Sequence, residues 1–245
     1  MKTMQNATAV TPSTEKVSLK DILSKYANTY ASVVNFNKEK DRLLAMDFTA
    51  ANNQLTNEVI GDTTLFSQYI QQQLDGYTFG IGGYDELRTV YARSQVFNTI
   101  DEPRRLHIGT DIWGPAGTVV YAPLEGTVHS FAFNDNYGDY GATIILQHQL
   151  DGVAFYTLYG HLSVDDIEGL TEGLHINKGQ AFAHFGEPHE NGHWPPHLHF
   201  QVIESMNNMK GDYPGVCKLS ERDYYLTNSP DANLILKMMQ YAEDA

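Results

Sequence analysis

The sequence predicts a mainly β protein, an antiparallel β sandwich or folded sheet with helical extensions at its N- and C-terminal ends, α+β in sum. Three observations predict it. After about Thr99, short runs rich in Val, Ile, Thr, Tyr and Phe alternate with Gly, Asn, Asp and Pro. No helical period of useful length interrupts those runs, so neighbouring strands are expected to pair antiparallel. Apolar residues at helical spacing are confined to stretches before Leu74 and after Ser229.

In chain order, residues 1–17 read as a flexible tail of Thr, Ser, Asn and Lys. Ser18 with Asp21 three residues on resembles a capping box, and Leu19, Ile22, Leu23, Tyr26, Tyr30 and Val33 follow at helical spacing. A second helix is expected from the cap Asp62 through Leu65, Phe66, Tyr69, Ile70 and Leu74 to a stop at Gly76. Gly80 to Gly83 reads as a turn, because it lacks the glycine spacing and the Gly-Lys-Ser/Thr ending of a phosphate loop. Strands are expected at 118–122, 126–133, 142–147, 154–159, 180–185 and 198–203. Ser229 with Pro230 at the first helical position opens a last helix carrying Leu234, Ile235, Met238 and Met239. The expected organisation is a tail (1–17), an N-terminal helical or mixed extension (18–98), a β domain (99–205) and a C-terminal extension (206–245).

With 245 residues, 42% of them hydrophobic, the chain can build a sizeable core. Its 16 basic and 30 acidic residues give a net charge of −14, which disfavours nucleic acid and anionic lipid surfaces as partners. Cys217 is the only cysteine, so no intrachain disulfide is possible. No signal-peptide pattern and no membrane-spanning run is visible, which sets a cytoplasmic location as the expectation.

Three short segments place histidines in chemically suggestive company. In His107-Ile108-Gly109-Thr110-Asp111, an imidazole and a carboxylate flank a glycine that lets the backbone turn, so both side chains can converge on one ion. In Pro195-Pro196-His197-Leu198-His199-Phe200, two histidines lie two apart on a strand and face one way. One is expected to bind metal and the other to act beside it; spacing does not say which. The third segment, Thr157-Leu158-Tyr159-Gly160-His161, ends an alternating strand in Gly-His. Together they supply three ligands, an open position and two spare imidazoles, the inventory of a catalytic zinc site. His129, His148, His175 and His184 lack convergent partners and are expected to be structural, and His189 and His193 to be exposed loop residues.

From Arg104 to Ile203 these residues resemble the lysostaphin-like zinc metallopeptidases, including the glycine-rich turns and the stretch from Gly117 to Val128. The resemblance implies an antiparallel β fold and a zinc-dependent metalloendopeptidase acting on peptide or muropeptide bonds, such as those of peptidoglycan, through a zinc-activated water. It implies zinc ligands His107, Asp111 and His199, with His161 and His197 flanking the reacting water as catalytic residues. A narrower resemblance rests on Asp47 to Asn52, Gly80 to Glu86 and Ser229 to Leu236. These look like the peptidase-like middle region of long bacterial proteins that also carry a small-molecule kinase-like and an aminotransferase domain. One departure is the loop Gly186 to Pro196, where many relatives carry a Ser/Thr/Gly-rich loop; it weighs against glycine bridges as substrate. Two other readings follow: a non-catalytic binding or regulatory module of peptidase fold, or a cytoplasmic partner of an amino-alcohol phosphate kinase or aminotransferase. The oligomeric state is left open.

Overall fold

The computed structural model describes residues 17–244, so all but Val17 of the expected tail lies outside the described residues. Alternation builds the central strands as expected: β6 (Val119–Tyr121), β7 (Gly126–Asn134), β8 (Gly141–Leu150), β9 (Val153–Leu162), β11 (Ala181–His184) and β12 (His197–Ile203). Eight short strands join them: β1 (Leu43–Ala45), β2 (Phe79–Gly82), β3 (Glu86–Leu87), β4 (Leu106–His107), β5 (Thr110–Trp113), β10 (His175–Ile176), β13 (Val216–Cys217) and β14 (Ala242–Glu243). The main sheet runs β10-β7-β8-β9-β12-β5-β2-β1-β14, beside a pair β11-β6 and a triplet β13-β4-β3. Pairing is antiparallel except where β1 lies parallel to β2 and to β14.

The site is positioned by β12, which is buried along its whole length. Because alternate side chains face opposite ways, Leu198, Phe200 and Val202 enter the main core with Ile144 and Leu146, and with Val120 and Ala183 of the β11-β6 pair. His197, His199 and Gln201 are left facing the other way. On that side a second apolar cluster gathers Phe48, Phe66, Tyr69, Trp113 and Trp194. Phe66 and Tyr69 come from a helix of the N-terminal extension, so that extension forms part of the floor under the site. Burying a residue of this size contributes about 1.5–3 kcal/mol.

Helices α1 (Leu19–Lys25), α2 (Asn57–Gly61) and α3 (Thr63–Gln73) precede the β region. The Ser18 hydroxyl caps α1 by accepting from Asp21 N at 3.2 Å. The Asp62 carboxylate caps α3 by accepting from Thr64 N and Leu65 N at 2.8 and 3.0 Å. Three expectations are corrected. First, α1 stops at Lys25, because Tyr26 to Thr29 turns and the Thr29 hydroxyl donates to Tyr26 O at 2.7 Å; Val33 still reaches the core, but from extended chain. Second, Gly80 to Gly82 is sheet interior rather than turn. Gly80 and Gly82 pair with Trp113 and Asp111, and a Cβ on Gly82 would lie 2.7 Å from Met46 O, so glycine there admits a neighbouring backbone. Third, the last helix does not open at Pro230. A helix α4 (Arg222–Asn228) comes first, and α5 (Asn233–Leu236) ends at Lys237 in the left-handed region, with the Asn233 side chain accepting from Met238 N and Met239 N.

Candidate metal centre

Asp111 on β5 stands opposite His199 on β12, a cross-strand pair, and Gly160 lies opposite His199 on its other side. His107 comes from the adjoining triplet, where β4 pairs with β3 and β13. Gly109 lets the two meet: a Cβ there would lie 2.4 Å from His199 Cε1, closer than real Cβ atoms approach. His107, Asp111 and His199 are buried, and their donor atoms all lie within 4.8 Å of one another.

Hydrogen bonding decides which atoms face the centre. His107 Nδ1 lies 2.8 Å from Gly83 O, which can only accept, so Nδ1 carries the proton and Nε2 a lone pair. Gln201 donates through Nε2 to Pro214 O at 3.2 Å and to Ser229 Oγ at 2.9 Å, which turns its Oε1 toward His199 Nε2 at 3.0 Å. His199 therefore donates from Nε2 and presents a lone pair at Nδ1. His107 Nε2, His199 Nδ1 and Asp111 Oδ1 then stand 2.9, 3.0 and 3.2 Å apart. Burial, with the nearby Arg88 cation, lowers the His107 pKa to about 4, so the ring is neutral at ordinary pH. Burial alone would raise the pKa of Asp111, but the partners around it, His107 first and then Arg88, hold it well below the usual carboxylate range. Three lone-pair atoms this close repel one another unless a cation sits among them. Two imidazole nitrogens and one carboxylate oxygen are a zinc donor set, and bonds of about 2.0–2.1 Å in tetrahedral geometry would hold these atoms about 3.3 Å apart.

His161 and His197 lie beside this cluster with their rings 4.1 Å apart. His161 Nδ1 donates to Asn191 O and His197 Nδ1 to Pro195 O, both at 2.8 Å, leaving Nε2 of each with a free lone pair. Burial lowers both pKa values, that of His197 to about 4 and that of His161 well below the ordinary 6.5. His161 takes a left-handed backbone, φ 61°, that non-glycine residues seldom adopt. Trp113 stacks on His197 at 3.9 Å between ring centres, fixing its plane. The cleft, about 270 Å³, is lined by Asp111, His161, His197 and His199 together with Tyr91, Phe97, Tyr140 and Trp194.

All five residues singled out in the sequence thus come together. His129, His148, His175 and His184 stand apart from them, and His189 and His193 are exposed. Four contributors lay outside the sequence reading. Tyr140 has its hydroxyl 3.4 Å from His199 Nε2, Gln201 anchors His199, and from the N-terminal extension Arg88 reaches Asp111 while Glu86 holds Arg88. Only Gln201 carried a signal, the same-face spacing His-x-His-x-Gln.

The family model for peptidase family M23 matches residues 105–211. An uncharacterized metalloprotease of Haemophilus influenzae is 30% identical over 139 residues, 54% of this chain; the chain spans only 27% of that relative's length. A zinc-containing peptidase from Vibrio cholerae is 30% identical over 40% of this chain and 27% of its own, with a TM-score of 0.33. The catalytic domain of lysostaphin from Staphylococcus simulans is 18% identical over 65% of this chain and 96% of its own, with a TM-score of 0.37. The segment holding every candidate ligand and both flanking histidines, residues 105–211, is the one that matches peptidase family M23.

Proposed function

We propose that this chain is a zinc-dependent metallopeptidase that hydrolyses peptide bonds, with peptidoglycan-type peptides as the substrate class that the family match favours. One observation carries the reading: three lone-pair atoms of His107, Asp111 and His199 converge while two neutral imidazoles stand beside them in one cleft. When bound, zinc supplies a Lewis acid that polarises a carbonyl and acidifies water.

The chain's own residues supply the proton transfers. Nε2 of His161 or of His197 accepts a proton from the attacking water, and the resulting imidazolium returns it to the leaving nitrogen. With the rings 4.1 Å apart, a second positive charge is disfavoured, so the pair carries one proton at a time. Burial raises the Tyr140 pKa well above its ordinary value, so the phenol keeps its proton and can donate to a developing oxyanion. Trp113, stacked on His197, and Trp194, edge-on to both imidazoles, limit the water that reaches the two rings.

The test is metal content and turnover on a panel of peptides and muropeptides. His199→Ala should lose zinc, whereas His161→Ala should keep zinc and lose roughly a hundredfold or more of turnover. Zinc retained by both variants would overturn the ligand assignment. Zinc bound by the unaltered protein without cleavage of any substrate would favour a binding module.

A further inference from the structure

We propose that Arg88, held by Glu86, is a positioning residue that presents Asp111 to the metal through a single oxygen. The proposal rests on the zinc reading above. Asp111 Oδ1 faces His107 and His199, while Oδ2 accepts from Arg88 Nη1. Arg88 is 2% exposed, and its Nε donates to Glu86 Oε2 at 2.5 Å. Glu86 is anchored in turn, since its Oε1 accepts from Phe48 N at 3.3 Å. The guanidinium packs between the Phe48 and Tyr91 rings, 5.0 and 6.0 Å from their centres.

The surrounding backbone accommodates this pair. Gly83 has φ 95°, and a Cβ there would fall 1.9 Å from Glu86 Oε2 and 2.7 Å from Arg88 Nη2. The same Gly83 offers its carbonyl to His107 Nδ1. Residues 83–88 thus hold two of the three ligands from their outer sides, although they precede the stretch that matches the family. A guanidinium suits this task because its fixed fork bridges two carboxylates at once, which an ammonium cannot do in the same geometry. Two consequences follow for the metal. With Oδ2 held, the carboxylate cannot rotate to bind through both oxygens. A pre-set oxygen also avoids the ordering cost of binding, and loss of such outer partners typically lowers metal affinity about 10–100-fold.

The experiment loads the metal-free full chain with cobalt(II) and with zinc, and reads affinity by chelator competition and coordination by the visible cobalt spectrum. Arg88→Met should bind zinc about 10–100-fold more weakly. It should also show weaker visible cobalt absorption, as the freed carboxylate turns bidentate and the coordination number rises. Arg88→Lys should restore only part of both. Because Arg88→Met leaves the buried Asp111 and the half-buried Glu86 without their cation, Glu86→Gln serves as a second variant: it frees the guanidinium while keeping its charge, and should shift both readouts in the same direction. Folded variants with unaltered affinity and spectrum would overturn the proposal, as would tighter zinc binding by Arg88→Met, which would mean that the cation competes with the metal. Failure of the unaltered protein to bind either metal would instead overturn the zinc reading, and this proposal with it.

Discussion

At the scale of single residues, the proton positions decide the chemistry. Each site imidazole donates one nitrogen to a carbonyl or amide oxygen and keeps the other bare. For His197, with a pKa near 4, the bare nitrogen stays available well below the ordinary histidine range. The acid limb of kcat/KM should therefore fall toward pH 4 to 5; half-loss at pH 6.5 would show that the ring accepting the proton lacks the depressed value. Tyr140→Phe removes one donor and a long contact to His199 Nε2 while leaving all three ligands and the Gln201 bond to His199 in place, so turnover should drop about 10–1,000-fold with zinc content unchanged. The motif residues were legible because metal chemistry leaves few substitutes for His and Asp at convergent spacing. Arg88 was not legible, since nothing local separates a buried bridging arginine from a solvated one; its role depends on contacts 23 residues away.

At the scale of elements, legibility followed periodicity. Strands β7, β8, β9 and β12 are long enough to display alternation, and their expected bounds lie close to those observed. β2 was misread because Gly80 and Gly82 contribute no side-chain pattern, while the reason for them, the approach of Met46, lies more than thirty residues earlier in the chain. Gly82→Ala should accordingly destabilise the fold by about 1–3 kcal/mol, read as a lower midpoint in urea; an unchanged midpoint would mean that Met46 yields freely. The last helix was misplaced because the Asp231 carboxylate accepts from Asn233 N, holding a turn before the helix starts at Asn233 instead of Pro230, while the Asn233 side chain accepts from Met238 N just past its end. His148, joining β8 to β9, offers a test of linkage. It is buried between Glu125 O and Thr157 Oγ1, and desolvation lowers its pKa to about 4. Below pH 6.5 the unfolded chain takes up a proton that the folded chain refuses, so this stabilisation is complete above 6.5 and is lost as pH falls toward 4. Between pH 7 and 4.5 the loss should be about 2–3 kcal/mol, and it should be absent from His148→Gln; an identical acid response in both proteins would contradict the assignment.

At the scale of the whole molecule, the segment matching the family shares its main sheet and its aromatic packing with residues that precede it. β5 loses its β2 partner if residues before 105 are removed, and Trp113 loses Phe48 and Phe66. Residues 105–211 alone should therefore aggregate or remain unfolded at 25 °C, whereas the full chain unfolds in one cooperative step; a soluble, zinc-binding excised segment would contradict this. The strands of the N-terminal extension are two to four residues long, too short to display a period in the sequence, and β1 pairs in parallel with a strand from the far end of the chain.

The most direct measurement is anomalous scattering at the zinc edge from crystals of protein purified without added chelator. One strong peak is expected among His107 Nε2, Asp111 Oδ1 and His199 Nδ1, at about 2.0–2.2 Å from each. A zinc-supplemented crystal with no peak there, or with its only peak on other residues, would contradict the proposed centre.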